Sequence, residues 1–184
     1  CNGCGACAIA CPHDAISHSK KKVGEIYKGR KGNLHLVSAQ IMPNYAISAF
    51  VVNEELDHLE SAKEYFDIMI IDTAAGTHCN VLEALNDCDI VIAVTEPTPL
   101  GAHDLGLILE LLKVLKKGSK VVINRSDIGD KDLINSIAKN YDSGILGEVP
   151  YSKGLIKAYS KGEPIDNKEI IKCIYNIENE LQMD

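Results

Sequence analysis

Four of the seven cysteines fall within the first eleven residues. Cys1, Cys4, Cys7 and Cys11 follow the spacing C-x2-C-x2-C-x3-C, with Pro12 directly after. At this spacing short loops let three thiolates wrap one face of a 4Fe-4S cubane. Gly3 and Gly5 permit positive φ and a close backbone approach that puts amide hydrogens near the sulfurs. The competing reading is structural zinc, which usually takes two ligand pairs separated by a dozen or more residues. A secreted disulfide scaffold would spread its cysteines along a shorter chain, so an intracellular metal or redox role fits better. In two-cluster arrangements the fourth cysteine ligates the other cluster. Partners for Cys11, and the fourth ligand for Cys1, Cys4 and Cys7, are therefore expected upstream. A chain that opens on Cys rather than Met carries the same expectation.

Two further constellations suit a phosphate-bearing ligand. Ile68-Met69-Ile70-Ile71 is an apolar run that delivers Asp72, followed by Thr73-Ala74-Ala75-Gly76. This is a Walker B pattern: Asp72 can hold the water shell of Mg²⁺, and Gly76 can offer its backbone N–H to a γ-phosphate. Many strands in α/β proteins end in Asp, so the pattern is weak by itself. Asn124-Arg125-Ser126-Asp127 follows Val121-Val122-Ile123 in an N-[KR]-x-D arrangement, where amide and carboxylate groups can hydrogen-bond a purine.

These groups need strands that end in one crevice. Continuous apolar runs occur at Phe66 to Ile71, Ile90 to Val94, Lys120 to Ile123 and Gly144 to Val149. Helical stretches separate them at Asn80 to Leu85, Gly101 to Leu115 and Lys131 to Lys139, and two more helices follow, Ser152 to Ser160 and Asn167 to Leu181. Apolar strands alternating with helices predict a doubly wound α/β domain with a mostly parallel sheet covered on both faces. Ahead of it, Ser19 to Gly32 is basic and reads as hairpin and linker, and Asn33 to Ile41 alternates. A helical pattern through Ala46, Phe50, Leu56, Leu59 and Ala62 ends near Tyr65. The expected division is residues 1–32, an iron-sulfur segment with linker, and residues 33–184, the α/β domain.

Composition excludes several classes. With 184 residues, 46% of them hydrophobic, and a formal net charge of −7, the chain can bury a sizeable core and has no general electrostatic footprint for nucleic acid. No apolar stretch approaches the ~20 residues of a membrane span. A cytoplasmic protein is expected.

The strings Asp72-Thr73-Ala74-Ala75-Gly76-Thr77-His78-Cys79, Val94-Thr95-Glu96-Pro97-Thr98-Pro99-Leu100-Gly101-Ala102-His103-Asp104-Leu105 and Asn124-Arg125-Ser126-Asp127-Ile128-Gly129 together resemble the MinD/ParA-type P-loop ATPases with an inserted ferredoxin domain. The resemblance covers nearly the whole chain. It implies a P-loop NTPase-type fold, incomplete here, with a small ferredoxin-like segment at the N-terminus. Asp72 becomes the Walker B acid and Gly76 the switch II glycine. Asn124 becomes the adenine contact, with Asp127, Pro150 and Tyr151 near the base. No G-x-x-x-x-G-K-[ST] occurs in these residues, so the phosphate cradle is expected upstream. ATP hydrolysis with Mg²⁺ is expected of the intact protein, and little or none of residues 1–184 alone.

Cys79 resembles the cluster-ligand cysteine of the nitrogenase iron protein; the alternative is a half-buried thiol in a loop. Cys88 and Cys173 read as packing residues, and His103-Asp104 as a capping pair. The implied function couples ATP to a 4Fe-4S redox or partner-docking role, with a redox or client protein as partner and homodimerisation on ATP. The alternatives are a ferredoxin-type electron-transfer module on a nucleotide-incompetent scaffold, and an iron-sulfur cluster carrier.

Overall fold

Alternating residues on either side of Gly32-Asn33 pair as an antiparallel hairpin, β1 (Gly24–Lys31) and β2 (Leu34–Ile41), with Tyr27 opposite Ser38 and Lys31 opposite Leu34. Gly32, at φ 61°, supplies the positive dihedral that the first position of a tight turn can require. The computed structural model describes residues 3–45, 49–86 and 88–181. They form two compact units that divide between Thr73 and Ala74. The 32/33 junction therefore lies within the turn of the hairpin.

In the first unit a four-residue helix, α1 (Ala6–Ile9), precedes the hairpin. Helix α2 (Ala49–Glu60) packs on the hairpin through Val51, its one buried residue. Gly24 allows that approach, because a Cβ there would lie 2.8 Å from Val51 Cγ2. The helix stops at Glu60, and a 3₁₀ turn at Lys63–Tyr65 completes the segment expected to be helical. The proposed start at Ala46 lies outside the described residues.

Phe66 to Ile71 departs from expectation. It joins no ladder among the described residues, bends at Asp67, and leaves Ile68 and Ile70 52% and 88% exposed. An apolar run of this kind becomes a buried strand only between hydrogen-bonding neighbours and under helices. Neither described sheet supplies that setting.

The second unit follows the alternating pattern: α3 (Cys79–Asn86), β3 (Ile90–Thr95), α4 (Pro99–Leu115), β4 (Gly118–Asn124), α5 (Lys131–Asn140), β5 (Gly144–Val149), α6 (Lys153–Ser160) and α7 (Lys168–Leu181). The three strands form a parallel sheet in the order β3-β4-β5, with a register shift at Val121/Val122. Successive β4 side chains point to opposite faces. Val121 and Ile123 join α3, α4 and α5 through Leu85, Leu105, Leu109 and Ile134. Val122 joins Leu146, Val149 and Cys173, with α6 and α7 contributing Leu155, Ile170 and Ile177. Both faces are thus covered, as a doubly wound sheet requires.

Helix starts are capped by side chains. Thr98 accepts from Gly101 N–H at 3.1 Å, Asp130 from Asp132 N–H, and Ser152 from Leu155 N–H. Asn167 accepts from the N–H groups of Glu169 and Ile170. Each satisfies a donor that the first turn leaves open. Thr98, not the His103-Asp104 pair, therefore caps α4; those two residues are exposed within the helix.

Candidate functional site

The cysteine segment is built on left-handed glycines. Gly3 and Gly5 have φ of 70° and 75°, and Gly5 precedes the single turn of α1. That turn carries Cys7. Its amides close locally, with Ala8 N–H donating to Gly5 O at 3.0 Å and Ala10 N–H to Ala6 O at 2.9 Å. Cys4 and Cys7 are exposed and Cys11 is half-buried.

The Cys11 thiol is held below its ordinary pKa, first by the backbone N–H of His13 and next by that of Ala15. Hydrogen bonds to sulfur favour the thiolate, the form that binds metal. Among the described residues no three His, Cys, Asp or Glu side chains form a group able to hold a metal ion. Cys1, the fourth expected ligand, lies outside the described residues. The donor set nonetheless has the chemistry of an iron-sulfur site: accessible thiols at short spacing, glycines at positive φ, and backbone N–H groups directed at a sulfur.

Asp72 is exposed in the irregular segment that ends the first unit, and Gly76, the third residue of the second, has φ 97°. Two residues on, the His78 carbonyl accepts the first amides of α3, from Val81 at 2.9 Å and Leu82 at 3.1 Å. Cys79 is the first residue of α3 and is exposed, not half-buried in a loop.

The carboxyl ends of β3, β4 and β5 are bound together, where ligands of open parallel sheets commonly bind. Asn124 ends β4 and is half-buried. Arg125 takes the left-handed conformation, φ 49°, and its Nε lies 3.4 Å from Glu96 Oε1 beyond β3. Ser126 is buried, and its N–H donates to Val149 O at 3.1 Å. Asp127 Oδ1 accepts from Tyr151 N–H at 2.6 Å. Gly129 sits on the Glu96-Pro97 loop so closely that a Cβ would fall 1.8 Å from Pro97 O. Asn124, Asp127, Pro150 and Tyr151 are therefore assembled on adjoining loops. A cleft of about 510 Å³ continues along β5 and α7, lined by Ser126, Leu146, Glu148, Pro150, Lys172 and Cys173.

Sequence reasoning missed the Glu96–Arg125 pair and the close seat of Gly129. A glutamate directly after β3 and a basic residue directly after the neighbouring β4 were the available signals. Cys88 and Cys173 follow the packing expectation: Cys88 Sγ donates to Ala84 O at 3.2 Å, and Cys173 is buried. Burial, and secondarily the Glu169 carboxylate, push the Cys173 thiol pKa up.

Residues 1–17 match the protein family described as the 4Fe-4S binding domain. An uncharacterized protein of Methanocaldococcus jannaschii is 36% identical over 163 residues, covering 89% of this chain and 55% of that protein. An uncharacterized ATP-binding protein of the same organism is 28% identical over 127 residues, 65% of this chain and 50% of the relative. The septum site-determining protein MinD of Bacillus subtilis is 30% identical over 123 residues, 62% and 46% of the two chains. Among solved structures, the MinD cell division protein of Aquifex aeolicus superposes with a TM-score of 0.58 at 21% identity, over 72% of this chain and 61% of that one.

Fold and motif together define the class: a MinD/ParA-like α/β fold with a 4Fe-4S binding motif at the N-terminus. The chain's homologues include MinD-like P-loop ATPases, and it spans about half the length of the curated relatives it matches. No helix among the described residues is long and apolar enough to cross a membrane.

Proposed function

We propose that the intact protein is an iron-sulfur MinD-like ATPase, in which ATP binding and hydrolysis are coupled to a redox or partner-docking role of a 4Fe-4S cluster. The observation that supports this most is the presence, in one chain, of a 4Fe-4S binding motif and a MinD/ParA-like α/β unit.

In this reading Cys1, Cys4, Cys7 and Cys11 are the thiolate donors, and Cys79 is a further candidate ligand. A cluster bound there would supply one-electron chemistry. The chain's own contribution is to hold thiolates ready, as the backbone N–H groups at Cys11 do, and to keep the segment accessible to a partner.

On the nucleotide side, Asp72 would hold the water shell of a Mg²⁺ ion, which would supply charge stabilisation to the phosphates, and Gly76 would offer an N–H to the terminal phosphate. Asn124, with Asp127, Pro150 and Tyr151, holds the base. The Asp127–Tyr151 hydrogen bond keeps the two base loops at fixed separation. ATP-dependent homodimerisation and a redox or client protein as partner belong to the same proposal.

The test uses the full-length native protein, reconstituted anaerobically with iron and sulfide. Iron content, the electron paramagnetic resonance of the reduced protein and ATP turnover are measured together. A 4Fe-4S signal with turnover abolished by Asp72→Asn is the expected result. A cluster without nucleotide binding would favour the plain electron-transfer reading, and nucleotide turnover without iron would remove the cluster from the function.

A further inference from the structure

Strand β5 carries one residue more than β4 pairs. Val121 pairs with Ile145 and Val122 with Gly147, so the register passes over Leu146. An extra residue of this kind is a β-bulge, which breaks the strict alternation of faces. Burial along β5 follows the break. Leu146 and Val149 both enter the cluster with Val122 and Cys173, although residues three apart in an unbroken strand face opposite ways. Glu148, between them, turns to the other face and meets Lys131 of α5, Oε2 to Nζ at 2.7 Å.

Two contacts from α7 hold the bulge. The Asn176 side-chain amide donates from Nδ2 to Leu146 O at 2.6 Å. Gly147 lies under Cys173, where a Cβ would fall 2.3 Å from the sulfur. The first contact gives a partner to the carbonyl of the residue that the ladder skips. The second fixes how closely the strand approaches the helix.

The bulge decides what arrives at the carboxyl end of β5. With the extra residue in place, Val149 O accepts from Ser126 N–H at 3.1 Å, and Tyr151 N–H donates to Asp127 Oδ1 at 2.6 Å. Pro150 stands between the two bonded residues. Without the extra residue each of these groups would be one position out of step, and the side chains would change faces.

We infer that Asn176, by holding the Leu146 bulge, is a positioning residue for the nucleotide base: it sets the register at which Pro150 and Tyr151 stand beside Asn124 and Asp127. The inference rests on the base-loop reading proposed above and adds to it a residue of α7, outside those loops. Asn176 acts through the strand, by way of one carbonyl.

The test compares the full-length protein with Asn176→Ala, and with Asn179→Ala as a control at an exposed position of the same helix. Amide hydrogen exchange is followed at Ser126 and Tyr151 without nucleotide, with the amides of β3 as reference. ATP affinity is measured beside that of inorganic triphosphate, which has no base. In Asn176→Ala, exchange at Ser126 and Tyr151 should rise about threefold to tenfold over the β3 reference, the range that one lost hydrogen bond gives. ATP should bind more weakly by a similar factor, with triphosphate binding unchanged. The control should match the parent throughout. If Asn176→Ala does not fold, the parent decides: by linkage, ATP should slow exchange at Leu146 and Gly147 relative to β3, and triphosphate should not. Absence of that slowing overturns the inference. So does exchange that rises equally at β3, unchanged ATP binding, or weaker binding of ATP and triphosphate alike. A parent that binds no ATP removes the base-loop reading itself, an outcome separate from these because it needs no variant.

Discussion

Asp127 Oδ1 and the backbone N–H of Tyr151 lie 2.6 Å apart, joining the loop after β4 to the loop after β5. The bond gives Asp127 a structural task separate from any contact with a ligand. Asp127→Ala should therefore lower stability by about 1 kcal/mol, the usual net value of one such bond. Asp127→Asn, which keeps an acceptor, should lower it less. Urea unfolding of the chain measures both, and equal losses would show that the hydrogen bond contributes nothing.

Gly129 tests how rigidly the β3 and β4 loops are joined. A methyl group there meets the Pro97 carbonyl at 1.8 Å, and backbone cannot yield as a side-chain tip can. Gly129→Ala should cost about 1–3 kcal/mol, as overpacking does, and appear as a fall in Tm. An unchanged Tm would mean that the two loops separate freely.

Gly147 offers a contrasting case, since an added Cβ would lie 2.3 Å from the sulfur of Cys173. The obstacle is one side-chain atom. Gly147→Ala should be destabilising in the parent and largely rescued in Gly147→Ala/Cys173→Ala. A double-mutant cycle reads the coupling directly, and additive losses would contradict the contact.

Thiol chemistry separates the two lone cysteines of the second unit that differ most in exposure. Cys173 is buried and its pKa is raised, so alkylation of the native protein near pH 8 should reach Cys79 well before Cys173. The sign of the pH effect follows. With the folded pKa above its unfolded value near 9, the unfolded chain loses its proton first as pH rises. The contribution of Cys173 to stability is thus complete below about pH 9 and declines above it. Cys173→Ala should flatten that alkaline decline, as followed by chemical unfolding at several pH values.

Iron content addresses the cysteine motif. In reconstituted full-length protein, Cys4→Ser or Cys7→Ser should lower bound iron by about one cluster's worth. Cys79→Ser asks separately whether that exposed thiol belongs to a ligand set. Retained iron and an unaltered redox signal would remove it, while a loss comparable to that of Cys7→Ser would add it.

Much of this protein is legible along its chain because the relevant physics is local. Cysteine spacing is a property of sequence, and so is the alternation of apolar strand and amphipathic helix. The second unit accordingly follows expectation from α3 to α7, with its caps at Thr98, Asp130, Ser152 and Asn167. Tertiary structure decided what depends on neighbours. The apolar run at Phe66 to Ile71 has strand composition but joins no described ladder, because a strand exists only through hydrogen bonds to another strand. The pairing of Glu96 with Arg125, the seat of Gly129 on Pro97 and the bond from Asn176 to Leu146 arise between segments far apart in sequence. Residue type and spacing specify which groups the chain can offer, whereas only packing determines which of them meet and which remain exposed.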